Sequence, residues 1–161
     1  MYTVRMAKAL TIASISAEVA PFSKAGGLGD VGRSLPKALH DQGHNVVVIT
    51  PLYGRISTKK HNLELIEPKL SVRLAKDKTV YCQVWRGTLE DELPVYFIDY
   101  PRYFSKRKKI YGYEYDNRRF YLFAVAALRL LKTQKIIPDV IQCHDWHAGL
   151  VPWLVKKRFT S

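Results

Sequence analysis

Two short segments of the chain carry residues whose types and spacing could bind a phosphate or a sugar. The first is KAGGLGDVG at 24–32, in which Lys24 precedes the paired glycines Gly26 and Gly27. Glycines let a ligand approach the backbone closely, and the N-terminus of a following helix offers free N–H groups and a positive dipole end. Because Lys24 adds a full charge beside them, this segment predicts an anion site suited to a diphosphate.

The same segment also satisfies the GxGxxG pattern, through Gly27, Gly29 and Gly32, which by itself is a weak indication of dinucleotide binding. That motif should begin directly after the first strand and should be followed by an acidic residue at the end of the second strand. Here the loop 18–26 intervenes, and residues 49–53 (ITPLY) contain no carboxylate. An NAD-dependent enzyme is therefore disfavoured, while a plain tight turn with a surface lysine remains an alternative to the anion site.

The second segment is HDWHAG at 144–149, directly after the apolar run DVIQC. Ligands of open α/β sheets gather at the carboxyl ends of the strands, so His144, Asp145, Trp146 and His147 are expected to line a cleft there. An aromatic face and a carboxylate acceptor are also what a sugar ring and its hydroxyls require. The segment is therefore a candidate sugar site on the same sheet edge as the glycine-rich loop.

Two other interpretations of the second segment stay open. His144 and His147 are three residues apart and could share a metal ion with Asp145, although no third histidine is near in sequence and no metal is expected. Alternatively, Asp145 could be the N-cap of the last helix, with Trp146 packed beneath that helix.

Hydrophobic periodicity and turn residues predict the elements that position these segments. Buried or paired strands are predicted at Ala7–Ser16, Asn45–Thr50, Leu63–Leu74, Thr79–Thr88, Pro94–Tyr100 and Asp139–Cys143, the third and fourth forming a hairpin around the turn 76–78. Helices are predicted over Leu28–Leu39, Arg119–Lys132 and His147–Arg158. Gly43 should follow the C-terminus of the first helix, and Pro36 should kink that helix or shift its start. The alternation predicts an α/β fold, a three-layer Rossmann-like parallel sheet with a β-hairpin excursion.

Length and composition set the broad class. A chain of 161 residues suits one domain, and its 47% hydrophobic and 25% charged residues are typical of a globular protein. No apolar run is long enough for a membrane helix, and the apolar N-terminal stretch 1–20 is interpreted as a buried strand rather than a signal peptide. Cys82 and Cys143 form no CxxC pair, so a metal knuckle or disulfide framework is not expected and a cytoplasmic location is.

The formal net charge of +12 favours anionic partners. The densest basic run is Lys106–Lys109, within the aromatic and basic stretch 100–119, which could stack and hold a single-stranded nucleic acid. Because the sequence lacks an RNP-like strand pattern and a recognition helix, nucleic-acid binding is not expected, and the basic clusters are interpreted as solvated faces.

Four blocks of the sequence resemble one known family. Residues 16–39 (SAEVAPFSKAGGLGDVGRSLPKAL) are similar to the N-terminal signature of bacterial glycogen synthases and plant starch synthases. Residues 43–56 (GHNVVVITPLYGRI), 113–128 (YEYDNRRFYLFAVAAL) and 138–152 (PDVIQCHDWHAGLVP) resemble further blocks of that family, in the same order and spacing. One local departure is Ala25, which stands where the family usually has Thr or Ser and which leaves the backbone geometry unchanged.

The resemblance implies a retaining glucosyltransferase built from two facing Rossmann-like domains, the GT-B fold. Such an enzyme transfers glucose from ADP-glucose, or from UDP-glucose in some members, to the non-reducing end of an α-1,4-glucan, without a cofactor. Carried over by motif, Lys24 and the backbone of Gly26 and Gly27 would face the donor's phosphates and sugar. Asp30 would support this loop or lie near the donor.

The resemblance also assigns roles in the later blocks. Asp145 would be the catalytic residue, with Trp146 and His147 beside it at the glucosyl or acceptor site, and Tyr115 would lie near the cleft. Residues 1–161 would then form the N-terminal domain, while the family's T-V-H-N segment and its nucleotide-binding C-terminal domain are absent. We therefore expect the isolated chain to be inactive, with a stand-alone glucan or sugar-nucleotide binding module as the alternative.

Overall fold

The computed structural model of the chain describes residues 8–159, with all of their side chains except those of Asp91, Arg158 and Phe159. Its centre is a six-stranded sheet with the order β3-β4-β5-β2-β1-β6. The strands are β1 (Thr11–Ile15), β2 (Asn45–Pro51), β3 (Glu64–Ala75), β4 (Lys78–Thr88), β5 (Pro94–Asp99) and β6 (Val140–Cys143). The helices are α1 (Gly27–Asp41), α2 (Asp116–Thr133), α3 (Asp145–Ala148) and α4 (Val151–Leu154), with a 3-10 turn at Glu90–Glu92 and a π-helical turn at Val155–Phe159.

Four strands form the parallel part of the sheet. β1 pairs in parallel with both β2 and β6, and β2 pairs in parallel with β5. The connections β1–α1–β2 and β5–α2–β6 run in opposite directions along the sheet. Because such crossovers are almost always right-handed, they place α1 and α2 on opposite faces. The predicted three-layer Rossmann-like arrangement is thereby confirmed.

The predicted β-hairpin is present and extends the sheet. β3 pairs antiparallel with β4, and β4 pairs antiparallel with β5, so the hairpin forms one end of the sheet. Three register shifts interrupt the β3–β4 pairing, and Pro68 lies within β3. The Tyr121 hydroxyl donates a 2.7 Å hydrogen bond to the carbonyl oxygen of Leu74 and so ties the hairpin to α2.

Helix α1 ends before Gly43, as predicted, and Pro36 does not shift its start. Gly43 has a φ of +88°, and its N–H donates a 2.9 Å hydrogen bond to the carbonyl of His40, which is the usual role of a glycine after a helix. Pro36 is buried inside a helix that still spans Gly27–Asp41. The proline therefore removes one N–H donor without moving the start of the helix.

Helix α2 is longer than predicted and forms much of the core. It begins at Asp116 rather than at Arg119, and its predicted apolar stripe is buried: Phe120, Phe123, Ala124, Ala127, Leu128 and Leu131. The prediction of a single helix over His147–Arg158 was wrong, because Gly149 separates α3 from α4 and a π-helical turn follows Leu154.

The predicted first strand is confirmed for Thr11–Ile15, in which Ala13 and Ile15 are fully buried, whereas Ala7 lies outside the described residues. None of the helices within residues 8–159 combines the length and apolar character needed to cross a bilayer.

Candidate functional site

The carboxyl ends of the parallel strands bring the two predicted segments to one edge of the sheet. β1 leads into the loop 16–26 and then α1, while the neighbouring strand β6 leads directly into α3. The loop is largely buried up to Ser23, and the run from Lys24 to Gly27 is exposed. The glycine-rich loop therefore presents its predicted binding residues to solvent from a firmly packed base.

The four glycines of this segment have two different roles. A Cβ atom placed on Gly26 or Gly27 would meet no atom within 4 Å, so these residues border open space. A Cβ on Gly32 would lie 2.2 Å from the carbonyl oxygen of Glu18, and one on Gly29 would lie 3.1 Å from the carbonyl oxygen of Ser23. Gly29 and Gly32 thus allow α1 to pack against the loop, whereas nothing in the fold requires glycine at the exposed pair.

Glu18 is a central residue of this loop, although its type and spacing alone indicated no role. Its side chain is buried, and Oε2 accepts hydrogen bonds from the N–H groups of Ala25 (2.5 Å) and Gly26 (3.2 Å). The expected phosphate contact through the Gly26 N–H is therefore already occupied by a carboxylate. No side chain among the described residues caps α1, so the N–H groups of its first turn remain the part of the backbone that can face an anion.

Lys24 and Asp30 form an ion pair across the start of α1. The Lys24 Nζ lies 2.7 Å from Asp30 Oδ1, and the two side chains are 51% and 58% exposed. Exposed pairs of this kind contribute about 0–1 kcal/mol, so Lys24 can leave Asp30 for a stronger anion at little cost. The structure places Asp30 where it can support the loop, one of its two expected positions.

The second segment splits into two buried and two exposed side chains. His144 is buried, and its Nε2 lies 3.1 Å from the Ser14 hydroxyl; His147 is 3% exposed, and neither of its ring nitrogens has a hydrogen-bond partner among the described residues. Asp145 and Trp146 are exposed by 49% and 55%. Only these two offer surface to a ligand without rearrangement.

Asp145 has an unusual backbone conformation. Its φ is +61°, in the left-handed region that few residues other than glycine adopt, and its Oδ1 accepts a 2.6 Å hydrogen bond from the Trp146 N–H. His144, not Asp145, is the N-cap of α3, so the interpretation of Asp145 as a cap was wrong. Such outliers cluster at functional sites, and here the half-exposed carboxylate lies against the first turn of α3.

Trp146 is not packed beneath the last helix, so this part of the N-cap interpretation was also wrong. Its ring stacks on that of His147 with centroids 4.0 Å apart and contacts Phe120 edge-on at 5.2 Å. The other indole face is free of ring contacts among the described residues. His147 therefore lies behind Trp146 and supports it, with no surface of its own toward the cleft.

Tyr111 connects the two segments. Its hydroxyl lies near the Glu18 carboxylate, and its ring lies 5.3 Å from the ring of His147. Desolvation, and then the Glu18 contact, raise the pKa of the Tyr111 hydroxyl. No sequence signal marked Tyr111, since it lies in the irregular stretch before α2, far from both segments along the chain.

Tyr115 lies at the N-terminus of α2, in a different cluster. Its ring stacks on those of Tyr103 and Tyr113, each at 5.9 Å, and the Arg107 guanidinium lies over both Tyr113 and Tyr115. The structure brings Lys24, Asp30, Asp145 and Trp146 to one sheet edge, but it gives Tyr115 no ring contact with them. These stacked faces are used within the chain, which disfavours a nucleic-acid platform.

The described residues offer no arrangement of side chains that supports the metal interpretation. Within the part of the chain that the structure describes, no group of three or more His, Cys, Asp or Glu side chains could hold an ion. The Nδ1 of His147 and Oδ2 of Asp145 are 3.8 Å apart, while the Nε2 of His144 faces Ser14.

Burial of His144 and His147 predicts a loss of stability in mild acid. Desolvation lowers the pKa of both imidazoles below 6.5, with Asp145 opposing this at His147. The unfolded chain therefore takes up these protons first as the pH falls, so the stabilisation is complete above pH 6.5 and declines below it. Urea unfolding at about pH 7.5 and about pH 5.5 measures this, and His147→Phe should reduce the difference. An identical difference in wild type and variant would contradict a role for His147.

Comparisons with known proteins give matches over nearly the whole chain. The family model described as starch synthase catalytic domain matches residues 11–161. A glycogen synthase of Anaeromyxobacter sp. (strain Fw109-5) is 38% identical over 152 residues, which is 92% of this chain and 30% of that protein. Glycogen synthase 1 of Geobacter sulfurreducens is 39% identical over 149 residues, 89% of this chain and 30% of that protein.

A solved structure is similar over the same region. The catalytic domain of starch synthase IV from Arabidopsis thaliana, bound to ADP and acarbose, superimposes with a TM-score of 0.86 and 37% identity. The match covers 94% of this chain and 31% of that one. The chain thus spans about a third of the length of these relatives.

Proposed function

Because this chain belongs to the starch synthase catalytic domain family, we propose that it forms the N-terminal Rossmann-like domain, residues 1–161, of a retaining glucosyltransferase. The reaction transfers glucose from ADP-glucose, or UDP-glucose, to the non-reducing end of an α-1,4-glucan. The observation that carries the proposal is the meeting of the glycine-rich loop and the HDWH segment at one sheet edge, linked through Tyr111. The starch synthase that shares this fold was solved with ADP and acarbose, which supports a nucleotide and a glucan as ligands.

The glycine-rich loop would hold the diphosphate of the donor. Lys24 exchanges its exposed partner Asp30 for a phosphate oxygen, and the uncapped first turn of α1 adds N–H groups and the positive end of the helix dipole. The open space beside Gly26 and Gly27 leaves room for the donor to lie against the backbone. Stabilising the departing nucleoside diphosphate is the main contribution of this half of the site.

The HDWH segment would bind the glucose and the glucan. The bond from the anomeric carbon to the phosphate oxygen breaks while the acceptor hydroxyl attacks the same face and passes its proton to the departing phosphate, so positive charge develops on the sugar ring. The Asp145 carboxylate would accept hydrogen bonds from sugar hydroxyls and stabilise that charge. Trp146 would offer its exposed indole face to a sugar ring, held in place by His147 behind it.

Two further parts complete the proposal. A second domain facing this sheet edge would supply the remaining groups that grip the nucleotide, and its closure would exclude water so that glucose reaches the glucan. A cytoplasmic location fits the free thiols of Cys82 and Cys143.

Binding of the donor tests the phosphate site directly. We expect ADP-glucose to bind the 161-residue chain and Lys24→Met to weaken that binding about tenfold, because one charge-assisted hydrogen bond is lost. Isothermal titration with ADP-glucose, UDP-glucose and ADP measures this and ranks the two donors. Lys59→Met, which removes an exposed lysine from the turn after β2, is the matched control and should leave the affinity unchanged.

A coupled assay with ADP-glucose and glycogen tests the division between domains. We expect no measurable transfer by the chain alone, so turnover would contradict the need for a second domain. Glycogen binding without any nucleotide binding would instead favour the stand-alone glucan-binding module. Equal affinities for ADP-glucose in the Lys24 and Lys59 variants would remove the phosphate site from the proposal.

A further inference from the structure

A strongly basic cavity lies between the hairpin and the C-terminal half of α2, away from the candidate active site. Its volume is about 690 Å³, within the usual range for small-ligand sites. Besides Val125, its lining consists of Ser71, Arg73, Lys76, Thr79, Arg129 and Lys132. The lining thus combines four cationic side chains with two hydroxyls and contains no carboxylate.

No acidic side chain among the described residues forms an ion pair with the cations of this cavity, Arg73, Lys76, Arg129 and Lys132. Like charges held around one cavity repel one another, which costs free energy unless an anion neutralises them. The dipole at the end of α2 favours Lys132, which lies in its last turn, but it does not account for the cations that come from the hairpin.

The hairpin side of the cavity is held in place. Arg73 donates from Nε to the carbonyl of Ala75 (3.3 Å) and from Nη2 to the carbonyl of Lys76 (3.0 Å), so its guanidinium is fixed across the turn. The hydrogen bond from Tyr121 to Leu74 anchors the same hairpin on α2. A cationic group that is ordered in advance loses less entropy when it binds an anion.

This cavity is separate from the glycine-rich loop. Helix α2 begins at Asp116 on the edge of the sheet that carries the candidate active site, and Arg129 lies further along the helix by about 20 Å at 1.5 Å per residue. Arg129 and Lys132, which line the cavity, are therefore set well apart along α2 from the segments of the candidate active site. A ligand bound there would not occupy the donor site.

We propose that this cavity is a second ligand site, which binds a small molecule carrying two or more phosphate groups. Arginine can hold a phosphate through paired N–H groups, lysine adds a compact charge, and the Ser71 and Thr79 hydroxyls can donate to the remaining oxygens. The volume suits a small oligophosphate, and the cluster of cations requires a ligand of high charge density. The inference stands independently of the glucosyltransferase proposal, because it uses none of its residues.

Titration with sodium tripolyphosphate tests the site. We expect a saturable site that Lys24→Met leaves intact and that Lys76→Ser/Lys132→Ser weakens about tenfold or more, because two charge-assisted contacts are lost. Both lysines are exposed, so the variant should keep its fold, which far-UV circular dichroism and the melting temperature check. The matched control is Lys59→Ser/Lys60→Ser, which makes the same charge change on an exposed turn and should leave the affinity unchanged.

Three outcomes would overturn the site. Equal weakening by the two double variants would mean that only the net charge matters. Loss of tripolyphosphate binding in Lys24→Met, with none in Lys76→Ser/Lys132→Ser, would move the ligand to the glycine-rich loop. Absence of saturation at millimolar tripolyphosphate would mean that the cavity does not bind this class of ligand.

Discussion

Arg119→Met is expected to lower the free energy of unfolding by about 3–5 kcal/mol, because it leaves the Asp116 carboxylate buried without its cation. Arg119 is fully buried and forms an ion pair with Asp116, and its Nε donates a 2.8 Å hydrogen bond to the carbonyl of Tyr103. Asp116 in turn accepts hydrogen bonds at Oδ2 from the N–H groups of Gly112 (2.6 Å) and Tyr113 (3.1 Å). The substitution therefore also loosens the segment that delivers Tyr111 to the candidate site.

Urea unfolding at neutral pH measures this effect, with Arg118→Met as the matched control. Arg118 precedes Arg119 in the sequence but is exposed, so its replacement should change the free energy of unfolding by less than about 0.5 kcal/mol. The double variant Asp116→Asn/Arg119→Met should recover part of the loss, since no unpaired charge remains buried. Similar losses for Arg118→Met and Arg119→Met would contradict the assigned role of the buried pair.

Gly32→Ala is expected to lower the free energy of unfolding by about 2–3 kcal/mol, through overpacking against the backbone. Its new Cβ would lie 2.2 Å from the carbonyl oxygen of Glu18 and 3.1 Å from the Ser16 hydroxyl, and a main-chain atom cannot yield as a side chain can. The gain of up to about 1 kcal/mol from the better helix propensity of alanine only partly offsets this. Thermal and urea unfolding of the variant give the measurement.

Gly27→Ala is the control on the same helix. Its Cβ would meet nothing within 4 Å, so the free energy of unfolding should remain within about 1 kcal/mol of wild type. The same variant should bind ADP-glucose more weakly if the donor lies against this backbone. Equal destabilisation at Gly27 and Gly32 would show that the close packing of α1 on the loop is not what fixes glycine at position 32.

The elements were largely predictable because their signals are local. Alternation and turn residues located the hairpin around 76–78, and Gly43 marked the end of α1 through the positive φ it adopts. The exceptions arise where tertiary packing outweighs a local preference. Pro36 did not displace α1, and the last predicted helix broke near Gly149.

The sequence predicted which segments form the candidate site, but not what each of their residues does there. The sequence pattern located the glycine-rich loop, yet it could not separate Gly26, which borders open space, from Gly32, which packs against a carbonyl. Glu18 and Tyr111 meet only because β1 and the segment before α2 end at the same sheet edge, a contact between residues far apart in sequence. Likewise, aspartate tolerates a left-handed backbone, but nothing local shows that Asp145 adopts one.

The two outermost strands of the sheet, β3 and β6, differ in how readily they could pair with a strand of another chain. β3 is one edge strand, where register shifts and Pro68 disrupt the regular row of N–H and C=O groups that a foreign strand would need, and charged side chains oppose its approach. The hairpin thus protects the β5 side of the parallel core from edge-to-edge aggregation. At the opposite edge, β6 is only four residues long, which offers a short template for such pairing.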